Sequence, residues 1–211
     1  MTKSVTSDAV VVVIDDDDAV RGALKELLES VGLKIILFAS AAEFLESTIP
    51  DTTCCMVLDV RMPKMSGLKL QEELSGAEVQ IPIVFITGHG DIAMAVRAMK
   101  SGAVDFLTKP FSNQDLLDAV YAALERDRAR RTQHESMSTL REYFNALSVR
   151  EKEVLSHVAA GRLNKQIAAE LGISEVMVKV HRANGMRKMH AKSVAELVRM
   201  TDLLRAGQAL T

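Results

Sequence analysis

The chain has 211 residues, of which 48% are apolar, and its formal net charge is −2. This length allows one large domain or two small ones, and aromatic residues are so few (4%, with no tryptophan) that the core must be aliphatic. No N-terminal apolar segment resembles a signal peptide, and no apolar run approaches the roughly 18 residues of a membrane span, so we expect a cytoplasmic protein without membrane contact.

The small net charge conceals two oppositely charged halves. Residues 1–124 carry 10 basic and 18 acidic side chains, whereas residues 125–211 carry 16 basic and 10 acidic ones. Such a division predicts two domains with different partners, and a basic domain of this size is typical of nucleic-acid binding. The only cysteines, Cys54 and Cys55, are adjacent and begin an apolar run, which predicts reduced, buried thiols.

Five short β-branched runs alternate with stretches of helical periodicity in the acidic half. They predict strands at 9–14, 34–38, 54–60, 81–87 and 104–108, and helices at 19–31, 41–47, 67–74, 92–101 and 113–124. Continuous apolar strands alternating with helices indicate a parallel sheet covered on both faces. Right-handed crossovers place the carboxyl ends of all strands at one edge, where such folds bind ligands.

Polar residues follow or end four of these strands. Asp15 and Asp16 follow the first, Asp59 and Thr87 end the third and fourth, and Lys109 follows the fifth. Carboxylates converging at one sheet edge are suited to Mg²⁺, which prefers oxygen ligands. Asp59 beside a metal, a lysine and a hydroxyl could attack phosphorus to give an acyl phosphate, and its neighbours would balance the charge on the transferred oxygens.

Four consecutive aspartates repel one another, so the later two need a separate explanation. We predict that Asp17 is a helix N-cap and that Asp18 is a first-turn acid favoured by the helix dipole. His89, two residues after Thr87, is interpreted as a solvent-facing loop histidine, although a general base is the alternative.

Four motifs of this half occur in the order found in one family. The segments IDDDDAVR (14–21), LDVRMPKMSG (58–67), FITGHGD (85–91) and FLTKPF (106–111) resemble the receiver domain of two-component response regulators. The resemblance covers residues 8 to about 126 and implies a flavodoxin-like (βα)5 fold. It also implies that Asp59 is the phosphoacceptor, and that Asp16 binds Mg²⁺ directly while Asp15 acts largely through water.

The same resemblance implies roles for other residues of the edge. The backbone carbonyl of Arg61 would be a further Mg²⁺ ligand, and Thr87 and Lys109 would contact the phosphoryl group. Phe106 occupies the position where the family has a switching aromatic side chain. The Lys109–Pro110 bond is commonly cis in this family.

Residues 125–140 are charged and polar, which predicts an exposed helical extension that becomes a linker. Four amphipathic helical segments follow. Ser148 and Glu151 form a capping box that opens the first of them, and Gly161 ends it. Asn164 is the predicted N-cap of the second segment, Gly172 ends that segment, and Ser174 is the predicted N-cap of the third. Two short helices joined in this way are the helix-turn-helix layout. The third helix carries Lys179, His181, Arg182, Arg187 and Lys188 around an apolar stripe of Val178, Met186 and Met189.

The segment from Leu147 to about Val198 resembles the LuxR-type DNA-binding domain of FixJ and NarL proteins. The matching motifs are REKEVL (150–155), GRLNKQIA (161–168), LGIS (171–174) and VKVHRAN (178–184). By this resemblance the third helix enters the major groove. The resemblance places Lys179, Val180 and Ala183 at positions that face bases. It implies contacts to phosphates or nearby bases for Arg182, Asn184, Arg187 and Lys188. Near the DNA backbone it places Arg150, Asn164 and Lys165. Met177, where the family has Thr, and the helical Gly185 are departures.

These features predict a receiver domain at 1–126, a helical linker at 127–142 and an all-α helix-turn-helix domain at 143–211. The expected function is that of a transcription factor, not an enzyme, which a sensor histidine kinase activates by phosphorylating Asp59. Activation would promote a homodimer that binds double-stranded promoter DNA and contacts RNA polymerase. Apolar residues of the last helix could pair two DNA-binding domains; these are Val194, Leu197, Val198 and Leu204.

Two other functions remain open from the sequence. A Mg²⁺-dependent phosphohydrolase could use the same aspartyl phosphate, but phosphatases of the haloacid-dehalogenase type need an acid two residues after the nucleophile, where this chain has Arg61. A DNA-bound scaffold that is never phosphorylated is the third hypothesis, and the complete set of acidic residues argues against it.

Overall fold

The computed structural model describes residues 8–77, 79–88 and 92–208. The chain divides into two compact units, one ending at Arg131 and the other beginning at Thr132. Among the described residues, no helix is both long and apolar enough to cross a lipid bilayer.

The first unit is a five-stranded parallel sheet in the order β2-β1-β3-β4-β5. The strands are β1 Val10–Ile14, β2 Lys34–Phe38, β3 Cys54–Asp59, β4 Ile83–Thr87 and β5 Asp105–Thr108. The helices are α1 Asp18–Ser30, α2 Ala41–Leu45, α3 Gly67–Gly76, α4 Ile92–Lys100 and α5 Asn113–Asn145. This strand order is that of flavodoxin-like folds, so the predicted fold is confirmed.

The three central strands, β1, β3 and β4, are buried on both faces, and successive side chains of each strand point to opposite faces. In β1, Val12 and Ile14 pack with Phe44 and Leu70 on one face. On the opposite face, Val11 and Val13 pack with Leu28 of α1 and with Leu116 and Val120 of α5. Strands buried on both sides explain the uninterrupted apolar runs of the sequence.

The predicted extension after residue 124 is helical, since α5 continues to Asn145. The expectation that it is exposed is wrong at Asp127, whose side chain is fully buried. Its carboxylate accepts hydrogen bonds from Cys54 N at 3.0 Å, Arg130 Nη2 at 2.7 Å and Arg131 Nε at 2.9 Å. Burial is tolerated because every such bond replaces one to water, and two of the donors are cations.

The two cysteines are buried and unbridged, as predicted. Burial raises the pKa of both thiols, and the negative charge of Asp127 acts on them in the same direction. Each therefore behaves as a small apolar side chain at the start of β3, not as a nucleophile.

In the described part of the second unit, up to residue 208, four further helices surround their own core. They are α6 Val149–Ala159, α7 Asn164–Leu171, α8 Glu175–Lys188 and α9 Val194–Gln208. The core is formed mainly by Val154, Leu155, Ile167, Val178, Met189 and Leu197, together with Leu140 of α5. The aliphatic character of this core agrees with the sequence analysis, and between residues 132 and 208 the structure shows helices and no strand.

Helix termini in this unit largely follow the predicted signals. Ser148 and Glu151 form the capping box, with Glu151 N donating to Ser148 Oγ at 3.2 Å and Ser148 N donating to Glu151 Oε2 at 2.7 Å. Gly172 ends α7 in the left-handed conformation with φ 66°, and Ser174 caps α8. These signals confirm the predicted helix-turn-helix.

The prediction that Asn164 caps α7 is wrong. Leu163 occupies the N-cap position, and Asn164 is the first helical residue. Gln166 Oε1 accepts the Leu163 N–H at 2.9 Å, so a side chain from within the first turn satisfies the cap backbone. Asn164 Oδ1 instead accepts a hydrogen bond from Arg182 Nη1 at 3.3 Å, which links α7 to α8.

Candidate functional site

Strand register brings the predicted polar residues to one edge of the sheet. Ile14 of β1 lies opposite Leu58 of β3, so Asp15 and Asp59 follow side by side. Thr87 of β4 lies opposite Thr108 of β5, and the residue that follows Thr108 is Lys109. Parallel pairing alone therefore assembles a carboxylate pair and a nearby ammonium group.

Lys109 bridges the two aspartates. Its Nζ donates to Asp15 Oδ2 at 2.8 Å and to Asp59 Oδ1 at 3.0 Å. The carboxylates are almost fully buried, with 1% and 8% of their side chains exposed, whereas 24% of the Lys109 side chain is exposed. One partly hydrated cation thus compensates two buried anions that would otherwise repel each other. The Lys109–Pro110 bond is cis, as the family resemblance implied.

Backbone groups hold the remaining carboxylate oxygens. Asp17 N donates to Asp15 Oδ1 at 2.9 Å, and Arg61 N donates to Asp59 Oδ2 at 2.6 Å. Arg21 Nη1 also donates to the Asp15 carbonyl oxygen at 2.7 Å. Both carboxylates are therefore fixed in orientation by short hydrogen bonds on either side.

Burial and charge have opposite effects on ionisation at this edge. Burial raises the pKa of Asp59 above its usual range, and the hydrogen bond and charge of Lys109 only partly offset that rise. Burial alone would lower the pKa of Lys109, but Asp15 and Asp59 together raise it. Lys109 therefore stays charged at neutral pH.

The other predicted residues of the edge differ in exposure. Thr87 is fully buried at the end of β4, while Asp16 is exposed directly after Asp15. Phe106 of β5 is half-buried, and its ring centroid lies 6.3 Å from that of Phe85. His89 lies outside the described residues.

Asp17 and Asp18 act at the start of α1, as predicted. Asp17 Oδ1 accepts hydrogen bonds from Ala19 N at 2.9 Å and Val20 N at 3.4 Å, so it is the N-cap. Asp18 is the first-turn acid and pairs with Arg21 at 2.8 Å. The helix terminus therefore accounts for half of the four-aspartate run.

The donor atoms at the edge fit Mg²⁺ in kind, because Asp15, Asp16 and Asp59 supply hard carboxylate oxygens. No group of three or more His, Cys, Asp or Glu side chains within residues 8–77, 79–88 and 92–208 is already gathered as a metal site. Lys109 occupies the space between Asp15 and Asp59, and Asp16 faces solvent. The residue types therefore match the ion, but Asp15 and Asp59 are paired with Lys109.

The second unit presents a helix-turn-helix with one buried and one exposed side on α8. Val178, Gly185 and Met189 face the core. Lys179, Val180, Ala183 and Arg187 are exposed, as are Arg150 and Lys165 on the two preceding helices. The predicted base-facing residues therefore lie on the side of α8 that is accessible to a ligand.

All four residues of α8 predicted to contact phosphates or nearby bases also have partners within the unit. Arg182 donates to Asn164, and Arg187 Nη2 donates to Asn184 Oδ1 at 3.2 Å. Lys188 Nζ donates to the buried Glu151 at 2.7 Å, and this bond is the main reason that the pKa of Glu151 is lowered. Lys188 thus ties α8 to the start of α6.

The suggestion that α9 pairs two DNA-binding domains is wrong for Leu197 and Leu204. Leu197 and Leu204 are buried within the core of their own unit, and Val194 packs against the same core. A helix whose apolar face already covers the domain core cannot also offer that face to a second copy. Leu203 is a large apolar residue of α9 that is exposed.

Known proteins match both units of this chain. A family model described as the response regulator receiver domain matches residues 11–121, and one described as bacterial regulatory proteins of the luxR family matches residues 145–201. Nodulation protein W of Bradyrhizobium diazoefficiens is 54% identical over 199 residues, which are 94% of this chain and 88% of that protein. This chain belongs to the response regulators that join a receiver domain to a LuxR-type DNA-binding domain.

Other relatives agree with this assignment. Transcriptional regulatory protein FixJ of Azorhizobium caulinodans is 48% identical over 197 residues, covering 93% of this chain and 92% of that protein. Among solved structures, response regulator StyR is 49% identical with a TM-score of 0.86, covering 92% of this chain and 98% of that one. Full-length FixJ from B. japonicum is 39% identical with a TM-score of 0.58, covering 96% and 99%.

Membership in this family makes the protein a transcriptional response regulator. Its receiver domain implies a sensor kinase as partner, and its LuxR-type domain implies DNA. The phosphohydrolase alternative is not favoured, because the relatives are regulators and residue 61 is an arginine.

Gly67, the first residue of α3, packs against the end of β3 in the receiver domain. A Cβ at this position would collide with the Asp59 carbonyl oxygen and lie 2.9 Å from Leu58 Cγ. Because the backbone cannot yield as a side chain does, we expect Gly67→Ala to lower the unfolding free energy by about 1–3 kcal/mol and to slow phosphorylation. Urea unfolding measures the first effect.

The control for this prediction is Gly22→Ala in the middle of α1, where nothing lies within 4 Å of the added Cβ. It is expected to stabilise the receiver domain by up to about 1 kcal/mol, because alanine favours helix. Equal responses of the two variants would contradict the proposed close contact at Gly67.

The raised pKa of Asp59 also predicts a pH-dependent stability. The folded receiver holds the Asp59 proton more tightly than the unfolded chain, so stability is lost as the pH rises from about 3.8 through the folded pKa. We expect Asp59→Asn to melt at a higher temperature than the wild type at pH 7, with Lys109 still paired to Asp15. The difference should shrink towards pH 4. Circular dichroism in metal-free buffer tests this, and a lower melting temperature of the variant at pH 7 would contradict it.

Gly185 has a packing role that explains a glycine inside α8 of the LuxR-type domain. An added Cβ would lie 2.8 Å from Leu155 Cδ1 and 2.9 Å from its Cγ. Alanine would gain about 1 kcal/mol of helix propensity but overpack the contact by about 1–3 kcal/mol. We expect Gly185→Ala to be destabilised in urea unfolding, and Leu155→Val to relieve part of that loss. A more stable single variant would contradict this prediction.

Asp127 was not recognised as important from the sequence. Arginines three and four residues later, Arg130 and Arg131, have the spacing of helix-surface ion pairs, and the polar composition of residues 125–140 predicts only an exposed helical extension. Arg131 also donates to Asp51 at 3.2 Å and to the Pro50 carbonyl at 3.4 Å. The network fastens α5 to the chain just before β3, a long-range contact that no local pattern reveals.

Proposed function

We propose that Asp59 accepts a phosphoryl group from a phosphohistidine of the sensor kinase. An Asp59 oxygen forms a bond to phosphorus while the nitrogen–phosphorus bond breaks, and the imidazole nitrogen keeps the electron pair. The observation that carries this proposal is the bridge from Lys109 to Asp15 and Asp59 at the sheet edge. Lys109 is positioned to balance charge on the transferred oxygens, and Thr87 is its counterpart from β4.

Mg²⁺ is the cofactor that fits these oxygen donors. We propose that Asp15, Asp16, Asp59 and the backbone carbonyl of Arg61 hold it, and when bound it supplies positive charge beside the phosphoryl oxygens. The exposed position of Asp16 gives a carboxylate at the mouth of the site.

Phosphorylation would act on a switch formed by Thr87, Phe106 and α4. A charge near −2 on Asp59 draws Thr87 towards the phosphoryl group, and Phe106 repacks with it. The half-buried state of Phe106 beside Phe85 supports this role, since a ring at the edge of the core is less tightly held by packing than one inside it. The two arrangements are the states that phosphorylation biases.

The surface of α4 supports dimerisation of the receiver. Ile92, Val96 and Met99 recur at helical spacing, and 84%, 46% and 45% of these residues is exposed. An exposed apolar stripe on a helix typically marks a protein interaction site. We propose that repacking of the switch prepares this surface to pair with a second receiver.

In the cytoplasm, the LuxR-type domains of such a dimer would bind promoter DNA. At the promoter they would contact RNA polymerase. Lys179, Val180 and Ala183 are proposed to face bases. Contacts to phosphates or nearby bases are proposed for Arg182, Asn184, Arg187 and Lys188. Contacts to the DNA backbone are proposed for Arg150, Asn164 and Lys165. Their exposure or partial exposure supports this assignment, and phosphate contacts predict strong salt dependence.

The test compares wild type and Asp59→Asn with acetyl phosphate and Mg²⁺. Sedimentation should show a shift from monomer to dimer for the wild type alone, and footprinting should show enhanced protection of DNA by the wild type alone. Equal enhancement by the variant would refute the role of Asp59. If beryllofluoride with Mg²⁺ changes neither mass nor footprint, the unphosphorylated scaffold is the better description.

A further inference from the structure

The exposed side of α8 carries an aliphatic stripe. Val176, Val180 and Ala183 recur at intervals of four and three residues, and all three are exposed, the two valines by 67% and 44%. On an α-helix, residues at this spacing lie along one face. The stripe is therefore a continuous apolar surface.

Packing fixes the direction in which this stripe points. Val178, Gly185 and Met189 are buried against the domain core. At about 100° per residue, Val176 and Val180 lie on the side of the helix opposite to these three. Because Gly185 packs against Leu155 without space for a Cβ, rotation of α8 about its axis would require repacking of the core. The aliphatic stripe is thus presented outwards in one orientation.

Charge around the stripe indicates a polyanionic partner. Lys179 lies beside it and Arg187 continues it by one turn, and both are exposed. The span from Val176 to Ala183 is about 10 Å, which corresponds to about three base-pair steps of duplex DNA. An aliphatic strip flanked by cations complements a groove whose walls are phosphates, and is less suited to an apolar protein surface, on which the cations would be desolvated.

Aliphatic side chains can recognise only one feature of the major groove. Valine and alanine side chains neither donate nor accept hydrogen bonds, so they cannot read the polar edges of guanine, cytosine or adenine. The 5-methyl group of thymine is the apolar group displayed there.

We propose that Val176, Val180 and Ala183 read thymine methyl groups, so that the half-site of this protein contains A·T pairs at two or three adjacent or near-adjacent positions. This inference rests on the proposed DNA-binding function and adds the chemistry of base recognition to it. Val176 is thereby a specificity residue alongside Val180 and Ala183. The flanking Lys179 and Arg187 supply affinity and register through phosphates and nearby polar base edges.

The test begins by selecting binding sites from a library of random 20-base-pair duplexes, using the full chain with beryllofluoride and Mg²⁺. Each thymine of the selected duplex is then replaced singly by deoxyuridine, which keeps base pairing and removes only the methyl group. We expect a loss in affinity of about threefold to fourfold at two or three clustered positions, the value for burying one methyl group, and none elsewhere.

Variants assign each methyl group to a side chain. Val176→Ala and Val180→Ala should each become insensitive to deoxyuridine at one of these positions while remaining sensitive at the others. Leu203→Ala, which removes an exposed leucine from α9, should keep the wild-type pattern. Because the uracil measurement alters only the DNA, it stands even if a variant folds poorly.

The outcomes separate this inference from the function on which it rests. Sequence-specific binding with no response to uracil would overturn thymine reading and leave DNA binding intact. Reduced self-association of the valine variants with unchanged DNA binding would overturn it in favour of a protein contact. If no duplex is bound at all, the proposed DNA contacts fail and this inference fails with them.

Discussion

Replacing Asp59 by asparagine is expected to abolish phosphorylation of the receiver. The amide has no anionic oxygen to attack phosphorus, and the ion pair with Lys109 is lost. With acetyl phosphate and Mg²⁺ as donor, phosphate-affinity electrophoresis should show the modified band for the wild type, and its rate of formation in the variant should fall by at least about 100-fold.

The control for this experiment is Asp18→Asn, which removes a carboxylate from the same four-aspartate run. The Asp18 side chain is 97% exposed and pairs with Arg21 at the start of α1, so its loss should leave phosphorylation unchanged. A similar loss in both variants would show that overall acidity near α1, not Asp59 itself, controls the reaction. Full phosphorylation of Asp59→Asn would contradict the assignment of the phosphoacceptor.

Replacing Asp127 by leucine is expected to cause a large loss of stability. The variant would leave Cys54 N without its acceptor and would remove the anion that pairs with Arg130 and Arg131. Removing one partner from a buried ionic network costs about 3–5 kcal/mol. Urea unfolding of the full chain, followed by circular dichroism, should show the midpoint of the receiver transition at much lower denaturant.

The matched control is Glu125→Ala, two residues earlier on α5. Its ion pair with Arg128 is exposed, with 59% and 40% of the side chains accessible, so the loss should be below about 1 kcal/mol. If Asp127→Leu lowered the free energy of unfolding no more than Glu125→Ala does, the Asp127 network would contribute nothing measurable to the stability of the receiver.

The assembly of the sheet edge was predictable because it depends on regular geometry. Apolar runs mark the strands, parallel pairing aligns their ends, and the residues next to those ends must meet. Asp15, Asp59 and Lys109 could be placed together on this ground, and the structure brings them within hydrogen-bonding distance. The same reasoning could not show that Lys109 lies between the carboxylates, which depends on side-chain conformations.

Features that depend on contacts between distant segments were not predictable. The burial of Asp127 requires the chain before β3 to meet α5, and the spacing of arginines gives no indication of that meeting. A glycine at position 185 departs from the family pattern and lowers helix propensity, but the structure shows that it permits the close approach of Leu155. Asparagine is a residue type that often caps helices, but α7 begins one residue earlier than predicted. Its N-cap is Leu163, whose backbone N–H donates to Gln166 Oε1.

Identification of the phosphorylated residue tests the central proposal most directly. The wild-type protein is phosphorylated with acetyl phosphate and Mg²⁺, the acyl phosphate is reduced with borohydride, and the resulting homoserine is located by peptide mass spectrometry. We predict a single labelled position at residue 59. Labelling at Asp15, Asp16 or any other residue, with Asp59 unmodified, would contradict the account.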